Sequence, residues 1–232
     1  MSSAPLVIDR RFCGPPDSAN GGYSAGRLAA VLDGPVEVRL RRPPPLEREL
    51  SVVAEGNEAV LLDGDTEIAR ARPAELDLTM PAPPSFERAG EVEGQCKAFD
   101  NHPFPGCFVC GPDRHADGLC IFPGPVDDQV AATWTPEAEL AGADGRIRPE
   151  FIWAALDCPG SFALTPEPGK WMVLGSFTVG IEQRPEAGEP LVVTGRDLGR
   201  EGRKLFAGTA LFNGAGACLA RARAVWIEID PY

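Results

Sequence analysis

The feature that most constrains this chain is a plan stated twice with different chemistry in each copy. Asn20-Gly21-Gly22-Tyr23 opens one apolar stretch, Tyr23 to Leu32, and Arg148-Pro149-Glu150 opens another, Phe151 to Leu164. Several segments of alternating apolar and polar residues follow each stretch, as in Val36-Glu37-Val38-Arg39-Leu40. That alternation is the period of a half-buried strand. Helices do not alternate with strands, so a parallel βαβ winding is disfavoured. The order predicts two similar units, each with one buried helix and about four antiparallel strands.

Local signals set the element ends. Ser18 and Asn20 are candidate caps for the first helix, and Asp33-Gly34-Pro35 ends it. Strands are expected at Val36–Leu40, Leu50–Ala54, Ala59–Leu62 and Glu67–Ala71, with turns at Asn57 and Asp63-Gly64-Asp65. Met80 to Gly106 is rich in proline and reads as an irregular connector. This divides the chain into a unit over 1–80, a linker over 81–106 and a second unit over 107–232. In the second unit, strands are expected at Leu119–Phe122, Gln129–Thr135, Trp171–Ile181, Leu191–Thr194, Lys204–Phe212 and Cys218–Ile229. Phe151 to Leu164 is apolar on nearly every side, which marks a buried helix, and Pro159-Gly160 is expected to break or kink it.

Composition narrows the partners. A formal charge of −12 repels phosphate backbones, so nucleic-acid binding is not expected. No apolar run approaches the roughly 20 residues that span a bilayer. Met1 to Arg11 lacks the basic start and apolar block of a secretory signal, so a cytoplasmic protein is expected. Seven cysteines is an odd number, which fits free thiols better than a disulfide framework.

Cys107-Phe108-Val109-Cys110-Gly111-Pro112 is followed by Gly118-Leu119. This is similar to a Cys-Phe-Gly-Cys-Gly-Pro…Gly-Leu opening, and in it the chain resembles hotdog-fold thioesterases of the phenylacetyl-CoA and acyl-CoA type. The stretch Gly175 to Ile229, with its Pro-Glu-Ala-Gly-Glu turn at Pro185 to Glu189, resembles the family's strand series. The resemblance implies an α+β double hotdog, with two long central helices each wrapped by antiparallel sheet and the two copies imitating the usual dimer. A further homodimer of chains is expected on that basis.

The family often carries His-Gly-Gly at the start of the hotdog helix and an acid further along it. Here the first copy keeps Gly21 and Gly22, has Asn20 in place of histidine, and has Ala29 where the acid would stand. The second copy keeps an acid, Asp157, but has Arg148-Pro149-Glu150 in place of the glycine pair. The losses are complementary and imply one composite site. In it the Gly21/Gly22 backbone is the oxyanion donor, Asp157 the base or nucleophile, Asn20 a substrate positioner and Ser176 a group that orients water. Thioester hydrolysis passes through an oxyanion, which a helix N-terminus stabilises. A carboxylate in an apolar helix tends to have a raised pKa, which suits a base near neutral pH. Arg203 and Lys204, beside Arg200, are candidates for the phosphates of coenzyme A, which enters as part of the substrate; no separate cofactor is expected.

Each residue has a plainer reading. Asn20-Gly21-Gly22 also makes a turn and helix cap, Asp157 a helix-terminal acid, Ser176 an ordinary strand serine and the Arg203/Lys204 cluster a solvated hairpin. Cys107 and Cys110 have metal-knuckle spacing, with Cys96, His102, His115 and Cys120 nearby. One Cys-x-x-Cys is only half of the usual signature, so no metal is expected. Cys158 next to Asp157 reads as a buried hydrophobe, or as a nucleophile without a nearby histidine. The leading expectation is an acyl-CoA thioesterase. Alternatives are a non-catalytic binder of acyl thioesters or other hydrophobic ligands and, less favoured, an enoyl-CoA hydratase.

Overall fold

The computed structural model describes residues 3–114 and 117–231. Eleven strands form one antiparallel sheet. In chain order they are β1 (Ser3–Val7), β2 (Val36–Leu40), β3 (Glu49–Glu55), β4 (Glu58–Asp63), β5 (Thr66–Pro73), β6 (Gly124–Val126), β7 (Gln129–Trp134), β8 (Trp171–Ile181), β9 (Leu191–Glu201), β10 (Lys204–Asn213) and β11 (Cys218–Ile229). Their spatial order is β1-β3-β4-β5-β2-β8-β11-β10-β9-β7-β6. The first half of the chain therefore supplies one side of the sheet and the second half the other. The halves join where β2 pairs with β8, through Val36↔Val179, Glu37↔Thr178, Val38↔Phe177 and Arg39↔Ser176.

Two central helices lie on one face. Helix α1 (Gly21–Ala29) packs on β2 and β5; the helix over Pro149–Ala163, called α4 below, packs on β9 and β10. Strand alternation explains the face they cover. Val36 and Val38 are buried while the intervening Glu37 and Arg39 point the other way. In β11 the fully buried Ala220, Ala222 and Ala224 form a low floor. One apolar core runs through both halves, from Leu6 and Ile8 to Leu205 and Trp226. Each large side chain in it contributes roughly 1.5–3 kcal/mol by leaving water.

The two helices run antiparallel and nearly touch. A Cβ added at Gly22 would stand 2.6 Å from Asp157 Cβ and 2.7 Å from Trp153 O. One at Gly26 would stand 2.7 Å from Glu150 Cα. Four residues apart, these glycines share a helix face. They let the backbones approach more closely than any side chain permits.

Several expectations are corrected. The connector is not irregular: it contains α2 (Phe86–Val92) and the short α3 (Ala98–Asn101). Ser85 caps α2 by accepting from Arg88 N, and the prolines lie outside the helices rather than in them. Ala89 and Val92 of α2 then form a second small core with Val126, Ala131 and Val192. Leu119–Phe122 is not a strand. Cys120 has φ +52°, and Leu119 N and Ile121 N donate to Phe108 O and Val109 O in the cysteine loop instead. Helix α4 runs through Pro159 without ending there. Strand β9 continues past Thr194 to Glu201, because an exposed hairpin needs no apolar alternation.

Candidate functional site

Asn20 caps α1. Its Oδ1 accepts from Tyr23 N at 2.8 Å, which turns Nδ2 outward from the helix start. That Nδ2 donates to Asp157 Oδ2 at 3.0 Å, and the Gly22 backbone N–H donates to the same oxygen at 2.9 Å. The first turn of α1 contains no acid of its own. Asp157, from the other half of the chain, therefore supplies the negative charge that a helix N-terminus favours.

All three residues are buried: Asn20 is 3% and Asp157 2% exposed. Burial pushes the Asp157 carboxyl up to about 7, against the Gly22 N–H and the Asn20 amide, which hold it down. Its other oxygen, Oδ1, is buried without a hydrogen-bond partner. A buried polar atom with no partner is costly and calls for an explanation. It is also a lone-pair acceptor ready to take a proton.

Gly21 faces a different surface. A Cβ there would meet Leu174 Cδ2 at 2.9 Å and Leu40 Cδ1 at 3.2 Å, so an apolar cover lies over the start of α1. The opposite pseudo-site lacks the parts. Arg148 makes no side-chain cap on α4, and Pro149 at its first position has no N–H.

The structure thus gathers Asn20, Gly22 and Asp157. Ser176 is elsewhere. It pairs with Arg39 and Val225, while its neighbour Phe177 pairs with the fully buried Val38 and Ala224. Cross-strand partners share a face, so Ser176 points away from the helices. Arg203 and Lys204 are exposed at the β9–β10 turn. They lie roughly 17 Å along β10 from Thr209, whose hydroxyl donates to Leu156 O in α4. Arg200 is committed to Glu228 and Glu167. Two open cavities, about 300 and 490 Å³, are lined by other residues, among them Lys97 and Phe162 in one and Arg72 and Arg223 in the other. Sequence reasoning missed that Cys158 joins Cys107 and Cys110 in a buried sulfur cluster. Cys96 and Cys120 lie outside that cluster, and His115 lies outside the described residues.

No family profile matches the chain, and no curated protein does. Solved structures do match. An acyl-CoA thioesterase II from Mycobacterium marinum superposes with a TM-score of 0.63 at 12% identity, covering 99% of this chain and 93% of that one. The tesB protein of Mycobacterium avium subspecies paratuberculosis gives 0.60 at 12% identity, covering 91% and 87%. The chain has the double-hotdog fold. At this identity the likeness speaks for the double hotdog alone. Among the described residues, no helix is long and apolar enough to cross a membrane.

Proposed function

We propose that the chain is an acyl-CoA thioesterase whose composite site draws on both hotdog halves. The observation that carries this reading is the hydrogen-bonded set of Asn20, Gly22 and Asp157, assembled from two helices of different halves. The solved structures that share its fold include acyl-CoA thioesterases by name, which supports the same substrate class.

In this reading the thioester carbonyl sits at the N-terminus of α1. The Gly21 N–H is its donor, because the Gly22 N–H is already held by Asp157 Oδ2. Asp157 Oδ1 takes a proton from the attacking water, or attacks the carbonyl carbon itself; either route expels the coenzyme A thiolate, and in the second water then cleaves the acyl–Asp157 anhydride to release the acid and restore the carboxylate. Asn20 holds the carboxylate in place. The acyl chain lies against Leu40 and Leu174, which must move aside to admit it. Arg203 and Lys204 meet the phosphates of coenzyme A at the hairpin. Ser176 has no part, since it faces away. The working unit is a cytoplasmic homodimer of two such chains; sedimentation giving the mass of one chain at micromolar concentration would refute that assembly.

One observation favours a second reading, a non-catalytic binder of acyl thioesters: the Gly22 N–H is occupied by Asp157 and the whole set is buried. Thiol release from a panel of short, long and aromatic acyl-CoAs separates the two. Hydrolysis that falls by about 10²-fold or more in Asp157→Asn, with an unchanged melt, supports the enzyme. Saturable binding with no thiol release over the panel supports the binder.

A further inference from the structure

Three of the seven cysteines converge on one buried point. Cys107 and Cys110 come from the loop after the connector, and Cys158 from the middle of α4. Their three sulfurs all lie within 4.8 Å of one another, and Cys107 Sγ to Cys158 Sγ is 3.9 Å. Two thiolates of one tetrahedral zinc ion, at Zn–S of about 2.3 Å, stand about 3.8 Å apart. The sulfurs are therefore spaced to share a metal with little movement.

The loop holds Cys107 and Cys110 in one tight turn, in which Gly111 N donates to Cys107 O at 2.9 Å. That turn depends on Gly111, where a Cβ would stand 2.5 Å from both Cys107 N and Cys107 O. His102 Nε2 lies 3.1 Å from Cys110 Sγ. Its Nδ1 accepts from Phe104 N at 2.9 Å, which leaves the neutral ring's proton on Nε2, directed at that sulfur. His102 is thus a donor to the Cys110 sulfur and not itself a ligand. Hydrogen bonds of this kind from the surrounding shell fix and tune metal-bound groups.

We infer that Cys107, Cys110 and Cys158 bind a zinc ion, with His102 hydrogen-bonded to the Cys110 thiolate and the fourth position filled from outside the triad. Each thiol gives up its proton to solvent as the metal binds, and no redox change is involved. The ion ties the cysteine loop to α4 one residue from Asp157. The inference does not depend on thioesterase activity, since its readouts are metal content and spectra.

The experiment uses the full chain, purified under reducing conditions from zinc-supplemented medium. Elemental analysis should find about one zinc per chain. Cobalt substituted for zinc should give sulfur-to-cobalt charge-transfer bands and the intense visible bands of a tetrahedral site. Cys107→Ser, Cys110→Ser and Cys158→Ser should each lower zinc content at least tenfold, while Cys218→Ser should leave it unchanged. Should the serine variants fail to fold, wild-type protein decides: zinc should shield Cys107, Cys110 and Cys158 from alkylation, mapped by mass spectrometry, and a chelator should expose them. Substoichiometric zinc with no cobalt spectrum, unaltered zinc in Cys158→Ser, or a Cys107–Cys158 disulfide in place of a metal would overturn the inference.

Discussion

The Gly22 backbone N–H lies 2.9 Å from Asp157 Oδ2, and these two residues belong to different halves of one chain. Space as well as hydrogen bonding fixes that contact. No Cβ fits at Gly22, because Asp157 Cβ and Trp153 O already occupy the place it would take. The carboxylate can reach the helix start only because the residue there is glycine.

Gly22→Ala is therefore expected to force α1 and α4 apart and to destabilise the fold by about 1–3 kcal/mol, read as a lower urea midpoint. Gly94→Ala is the control, since nothing lies within 4 Å of a Cβ there. Equal midpoints for the two variants would contradict the close-approach account.

Asn20 has two duties, and substitutions separate them. Asn20→Ala loses the cap on α1, worth about 1 kcal/mol, together with the donor to Asp157. Asn20→Asp keeps a capping oxygen but sets a second carboxylate against Asp157. Thermal melts at neutral pH should therefore rank wild type above Asn20→Ala and Asn20→Ala above Asn20→Asp. An Asn20→Asp melt equal to wild type would mean that the amide does not hold the carboxylate.

Glu37, beside the seam between the halves, predicts a pH dependence. Burial pushes its carboxyl up, but hydrogen bonds from Arg39 and Arg72 outweigh this and hold it below the usual value. A depressed carboxyl stabilises the fold above its unfolded pKa, near 4.3, and that contribution is lost as pH falls through the lower folded value. Urea midpoints of wild type and Glu37→Gln should differ most at pH 7 and converge by about pH 3. A gap that stays constant between those pH values would refute the assignment.

Phe177 sits at the seam itself, fully buried, paired with Val38 and set edge-on to Trp153 with ring centroids 5.6 Å apart. Phe177→Ala should cost about 3–5 kcal/mol. Because one core crosses the seam, calorimetry should still show a single transition at lower temperature. Two resolved transitions in wild type would mean that the halves unfold separately.

The sequence carried most of the strand pattern, because alternation such as Val36 to Leu40 records which side of a sheet each residue faces. It carried the Asn20 cap, and through the complementary losses in the two copies it singled out Gly21, Gly22 and Asp157, but not that Asp157 itself accepts from the Gly22 N–H. It did not carry α2, whose start depends on a single serine among prolines. Nor did it show that Leu119 and Ile121 bond to a loop, since an apolar run looks the same whichever backbone it pairs with. The glycines read as hydrogen-bond donors, and their role as a helix contact surface became visible only against Glu150 and Trp153. The union of Cys158 with Cys107 was hidden because a helix and a loop far apart in sequence leave no spacing to recognise.

The seam between β2 and β8 also determines how the molecule responds to dilution. Two separate hotdog subunits would find each other by mass action, and a site shared between them would fade as concentration falls. Here the second half is tethered to the first, at an effective concentration set by the connector and not by the amount of protein. The encounter of Asn20 and Gly22 with Asp157 is thus a folding event with unimolecular order. It persists at nanomolar protein, and the tether leaves either half free to vary without its change being copied into the other.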